Sequence, residues 1–282
     1  MRTACCLLLI ALAPALAWGD GCKLRAERAA GVDARGVEKV IIRSGAGDMK
    51  VVGRGNAVRV EARGFACAAK QDKLDATQIS VRREGNVVYV ETTLPQDDSN
   101  WTWGRDDYAY IDMGIALPSS IPVEATDSSG DAAFEDLKAL TLQDSSGDLD
   151  LDRIAGLVDV GDSSGDIEIT GAGGVRVRDS SGDIDVDDVR GDVEVSLDSS
   201  GDIEIARVTG NVKVLQDSSG TIRVEDVKGS VTVDSDSSGD IYAGRVSGDF
   251  TVSEDSSGSI EHESIGGKVS VPDNRGDDND VE

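Results

Sequence analysis

The tetrapeptide Asp-Ser-Ser-Gly begins at Asp127, Asp144, Asp162, Asp179, Asp198, Asp217, Asp236 and Asp255, at spacings of 17, 18, 17, 19, 19, 19 and 19 residues. A fixed period of this length is the signature of a solenoid, in which each unit lies on its own copy. The fullest unit, DSSGDIEIARVTGNVKVLQ, reads as a turn, a short alternating strand, a bend and a second alternating strand. Ile203, Ile205, Val208, Val212 and Val214 fall on one face, Glu204 and Lys213 on the other. The same places hold Ile184, Val186, Val189, Val193 and Val195 one unit earlier, and Ile222, Val224, Val227, Val231 and Val233 one unit later. Five aliphatic side chains do not close a core alone, so each unit must be covered by its neighbours. Hairpins would not need so strict a register. The sequence therefore predicts an all-β, single-stranded parallel β-helix of about 19 residues per coil, right-handed because parallel crossovers nearly always are.

Composition agrees with a slim aliphatic interior. Only 4% of the 282 residues are aromatic and 33 are glycine, so Val, Ile, Leu and Ala must fill the core. Acidic residues outnumber basic ones 54 to 28, a formal charge of -26, which opposes nucleic acid and favours cations or basic surfaces.

Residues 1–17 read as an export signal. Arg2 precedes the apolar run CLLLIALAPALA, too short to span a bilayer, and Ala15-Leu16-Ala17 offers a small-x-small cleavage site. Cleavage removes Cys5 and Cys6 and leaves Cys22 and Cys67, an even pair expected to form a disulfide in an oxidising compartment that pins the N-terminal arm. No second apolar run has membrane length. Residues 18–118 read as irregular β coils and a cap: GAGDMKVVGRGNAVRVEA repeats the Gly-Asp strand start, and ISVRREGNVVYVETTLP reads as two strands joined at Glu84-Gly85-Asn86. Residues 119–271 are the regular solenoid, and the acidic, apolar-poor residues 272–282 are expected to be disordered.

An export signal, irregular strands, a strand ending in Leu117-Pro118, the run IPVEA and repeated SGDI or SGDL units together resemble the bacterial DUF4097 family of adhesin-like proteins, over residues 36–271. The resemblance implies a β-helical surface protein and brings no catalytic residue with it.

The DSSGD turn has a structural reading in its own right. Asp accepts hydrogen bonds from N–H groups two residues on, Ser does so more weakly, and Gly takes the positive-φ position. The repeat also stacks carboxylates about 4.8 Å apart, and something must offset their repulsion. A second acidic column runs through Asp131, Asp148, Asp166, Asp183, Asp202 and Asp240, a third through Asp150, Glu168, Asp185, Glu204 and Glu261. Carboxylates of adjacent coils could ligate Ca²⁺ weakly, with Asp144, Asp148, Asp162, Asp166, Asp179, Asp183, Asp198 and Asp202 as ligands. No cofactor is required by this reading; calcium is the one candidate.

Catalysis is the competing class, because carboxylate pairs on β-helices can act on polysaccharides. Acid-base work needs one pair in differing environments, and here each coil repeats the same pair with almost no inserted loop. The single histidine, His262, is expected to lie outward beside Glu261 and Glu263. The segment WTWGRDDYAY, residues 101–110, places Trp101, Trp103, Tyr108 and Tyr110 together, as an end cap or as a platform for a sugar ring. The functional expectation is an exported, non-enzymatic scaffold in the periplasm or at the cell surface of a bacterium, adhesin-like, meeting an envelope or surface protein or polysaccharide through many weak contacts. The alternatives are a polysaccharide-acting β-helix enzyme and a calcium-stabilised carbohydrate-binding module.

Overall fold

A computed structural model describes residues 22–95 and 107–272; the signal segment, Trp101, Trp103 and the tail from 273 lie outside the described residues. The described residues build two sheets of twelve strands each. In the regular half every coil contributes one strand to each sheet. Ile203–Val208 pairs in parallel with Ile184–Val189 before it and Ile222–Val227 after it, so that Ile203 lies between Ile184 and Ile222, and Ile205 between Val186 and Val224. Val212 lies likewise between Val193 and Val231 in the other sheet. Every pairing from Leu140 to Ser270 is parallel. The fold is a β-solenoid with the predicted repeat, and Ile203, Ile205, Val208, Val212 and Val214 are all buried in it. Each such side chain is worth about 1.5–3 kcal/mol of burial, delivered only when coils lie on both sides.

The N-terminal part departs from simple coiling. Its strands are β1 (Leu24–Asp33), β2 (Lys39–Arg43), β3 (Met49–Arg54), β4 (Arg59–Ala68), β5 (Gln78–Glu84), β6 (Val87–Thr93), β7 (Ala109–Pro118), β8 (Val123–Thr126) and β9 (Ala132–Glu135), with one short helix, Gln71–Ala76. β2 lies parallel between β6 and β8, and β3 parallel between β7 and β9. The first coil in the chain is thus the second in the stack, with the β6–β7 coil beneath it. β1 and β4 pair antiparallel, β4 pairs antiparallel with β7, and β5 with β6 through a turn at Gly85 (φ 62°). Antiparallel strands therefore close this end of both sheets, as atypical terminal units of a solenoid must. Cys22 and Cys67 are disulfide-bonded, with Cα atoms 5.7 Å apart, and tie the residues before β1 to β4.

At the opposite end the expected outward placement of His262 is corrected. His262 pairs with Ala243, a fully buried inward position, and its ring meets Phe250 edge-on at 6.0 Å between centroids. Strict period-two alternation puts Glu261 and Glu263 outside and His262 inside. The imidazole is nevertheless exposed, because no further strand pairs with Ile260–Ile265 among the described residues. Among the described residues no helix is long and apolar enough to cross a membrane.

Candidate functional site

The DSSGD corner assigns separate tasks to four of its five positions. The first Asp holds the turn: Oδ1 of Asp198 accepts the N–H of Ser200 at 3.3 Å, Asp217 that of Ser219 at 3.3 Å and Asp236 that of Ser238 at 3.2 Å. The second Ser reaches across coils, the Ser219 hydroxyl donating to the Ser199 carbonyl at 3.2 Å and Ser238 to Ser218 at 3.1 Å. Gly takes a φ closed to other residues, 134° at Gly201, where a Cβ would also strike the carbonyl of Gly182. The last Asp closes a ladder between coils: the N–H of Asp166 donates to Oδ1 of Asp148 at 3.1 Å, that of Asp183 to Asp166 at 3.0 Å, and that of Asp202 to Asp183 at 2.9 Å. A carboxylate that accepts a backbone N–H is stabilised as an anion, which offsets part of the repulsion along this column.

The two Asp columns have opposite fates. Asp148, Asp166, Asp183 and Asp202 are exposed. Asp144, Asp162, Asp179 and Asp198 are buried beneath the turn, as are Asp127, Asp217 and Asp236. The eight aspartates named as ligands therefore do not form one acidic face; four are outside and four are sealed in the core. Burial is the largest influence on the sealed group and raises every member, Asp127 and Asp217 to about 7 and Asp198 to about 6, against the pull of the turn N–H groups. Among the described residues no three His, Cys, Asp or Glu side chains are grouped as a metal ion would need.

The exposed column borders an open groove of about 970 Å³ on the outer face of the sheet that holds β3, β7 and β9. Asp131, Asp148, Asp166 and Asp183 line one side, Asp150, Glu168 and Asp185 the floor, and Asp48, Lys50, Tyr110 and Asp112 the N-terminal end. Lys50 is engaged with Glu135 at 2.5 Å. Tyr110 lies 6.1 Å from the Tyr108 ring, and the Tyr108 hydroxyl accepts the N–H of Lys23 at 2.9 Å. Burial is the main cause of a raised Asp112, next to which Asp48 adds like charge. The arrangement suits binding of cationic groups over several coils, and each coil presents much the same pair of carboxylates.

Sequence reasoning missed two parts of this site. Asp48 and Asp112 extend the exposed column beneath Asp131: Asp131 N–H donates to Asp48 Oδ1 at 3.2 Å, and Asp48 N–H to Asp112 Oδ1 at 3.0 Å. The signal was available for Asp48, because Ser44-Gly45-Ala46-Gly47-Asp48 is a reduced DSSGD with Ser in the first place. Asp112 offered none, since its coil has another segment at that corner. The burial of the first Asp column was also missed, because side-chain alternation does not continue through a turn.

The Toastrack DUF4097 family model matches residues 32–279. None of the curated proteins matches the chain. Similar solved structures include a "putative adhesin" from Bacteroides fragilis NCTC 9343, 12% identical, covering 89% of this chain and 98% of that one with a TM-score of 0.44. A "putative adhesin" from Parabacteroides merdae ATCC 43184 is 14% identical, covering 90% of this chain and 98% of that one with a TM-score of 0.45. A "putative lipid binding protein" from Parabacteroides distasonis ATCC 8503 is 15% identical, covering 90% and 95% with a TM-score of 0.40.

Proposed function

The chain belongs to the Toastrack DUF4097 family, and on that premise we propose that it is an exported, non-enzymatic scaffold of the bacterial envelope or surface that makes multivalent contacts through its acidic face. The observation that carries this reading is the groove in which Asp131, Asp148, Asp166 and Asp183 repeat one chemistry coil after coil. Repetition favours many weak contacts, whose combined affinity can exceed a single contact by about 10²–10⁴. It disfavours acid-base catalysis, which needs two carboxyls made different by their surroundings. The partner is an envelope or surface protein or polysaccharide carrying cationic groups, or an anionic polysaccharide joined through calcium.

The test is binding of the labelled mature chain to isolated envelopes and to purified surface polysaccharide, with and without calcium. Replacing Asp148, Asp166 and Asp183 together by Asn should reduce binding more than the product of the single losses. Additive loss, or catalytic release of sugar from the polysaccharide, would refute the scaffold reading.

A further inference from the structure

Seven aspartates, from Asp127 to Asp236, stand in single file inside the solenoid, each with at most 6% of its surface exposed. Successive members lie directly above one another; Asp217 and Asp236, for example, are bridged in parallel register. Oδ2 has no hydrogen-bond partner in Asp127, Asp179, Asp198, Asp217 or Asp236. In Asp144 and Asp162 neither oxygen has one. A sealed, ionised carboxylate with a bare oxygen is among the most unfavourable groups a core can hold, and a column of them is worse. Apart from the Ser44 hydroxyl at Asp127, the neighbouring side chains do not relieve it. Asp127 faces the Ser44 hydroxyl, Asp144 and Asp48; Asp162 faces Asp148; Asp198 faces Asp179 and Asp183; Asp236 faces Asp255. Asp179 faces Asp162 and Asp166, and Asp217 stands between Asp198 and Asp236. The inward residues of the adjoining strands, such as Ile184, Ile203, Val195 and Val214, are apolar.

A proton answers both defects, since it removes the charge and turns the bare oxygen into a donor. The spacing fits: the rise of about 4.8 Å between coils is one carboxyl width plus one O–H···O hydrogen bond of about 2.6 Å. We propose that the buried aspartate file is a proton-binding site, in which each protonated carboxyl donates from its free oxygen to the facing carboxyl oxygen of its neighbour one coil away. On deprotonation or unfolding the protons pass to water.

The pH response follows from linkage. These carboxyls bind protons more tightly folded than unfolded, where their ordinary value is 3.8. Their contribution to stability is complete below about pH 4 and declines as pH rises to about 6 for Asp198 and about 7 for Asp127 and Asp217. Opposing groups act mainly lower: Asp33, held down to about 2 by the Arg35 guanidinium, and the lowered Asp136, Asp226 and Asp240 lose their stabilising bonds in acid.

The test uses the mature chain. Infrared spectra should show a protonated-carboxyl band at about pH 5.5 that fades by about pH 8, and unfolding at about pH 5.5 should release on the order of three protons per chain. Replacing Asp179, Asp198 and Asp217 by Asn should diminish both signals and flatten the fall of Tm between about pH 4 and 7, whereas Gln at Glu204 and Glu261, exposed on the outer sheet face, should leave them unchanged. Should the first triple variant not fold, the band and the proton count of the unmodified chain still decide. Absence of the band with no proton release would overturn the proposal. So would a saturating, calcium-specific stabilisation that Asp198→Asn abolishes, which would make the file a cation site.

Discussion

Each coil turns two corners, and they handle charge in opposite ways. At the bend between strands, Asp136, Arg153, Asp188, Arg207, Asp226, Arg245 and Ser264 all adopt left-handed φ values of 54–57°, and Gly171 takes 75°. Along the stack the sign alternates wherever charge is present, and neighbours pair: Arg153 with Asp136 at 2.8 Å, Arg245 with Asp226 at 2.7 Å, Arg207 with Asp187. At the DSSGD corner the first residue is Asp from Asp127 to Asp255 without relief. The bend asks only for a backbone conformation, so its side chains are free to vary and charge is balanced by composition. The DSSGD corner needs a particular acceptor, hydroxyl and glycine at particular places, and its charge must be balanced in place by N–H groups or protons. Left-handed φ costs an ordinary residue about 1–2 kcal/mol, and at the bend the paired strands on either side hold it.

The contrast can be broken most forcefully by moving a carboxylate away from the file. Val212→Asp puts one where no turn N–H and no neighbouring carboxyl can serve it, and should cost about 4 kcal/mol or more, measured by denaturant unfolding. Lys213→Asp, one residue along and partly exposed, should be tolerated apart from the loss of its contact with Asp234 at 2.9 Å and some added repulsion. Equal shifts in the two would contradict the inside and outside assignment. Gly201→Ala attacks the corner that tolerates no Cβ and should cost about 3 kcal/mol in the same assay; a loss below about 1 kcal/mol would show that the corner yields. At the bend, Arg245→Ala removes surface ion pairs to Asp226 and Glu225 and should lower Tm by a few degrees at most, a difference that shrinks in high salt. Asp183→Asn keeps the oxygen that receives the Asp202 N–H and should leave Tm within about 1 °C, while Asp183→Ala loses it and should fall farther.

Most of the regular half was legible because a solenoid writes its register directly into the sequence. Once Ile203 is aligned with Ile222, every residue between turns has its partner and its side assigned. Three things were not legible, for physical reasons. The direction of the first Asp is set by turn dihedrals, which period-two counting does not reach. The place of the β2–β3 coil between β6–β7 and β8–β9 depends on pairing between segments distant in the chain, and no local pattern encodes that. The side taken by His262 was legible from Ile260 by alternation, but an ionisable residue flanked by glutamates looks like surface, and polarity outweighed the period. In the site, the exposed Asp148, Asp166 and Asp183 were found from the repeat, and the groove's N-terminal end at Asp48 and Asp112 required the fold.

The coil-on-coil register also makes the molecule a ruler. Because Ile203, Ile222 and Ile241 occupy equivalent positions 19 residues apart, duplicating one unit would lengthen the rod by about 4.8 Å without disturbing the antiparallel strands that close its first end. Reach, the number of surface carboxylates and the number of interior ones would all grow by the same count. A gene that gains or loses whole units can therefore set how far such a rod extends, with the geometry of each contact held constant.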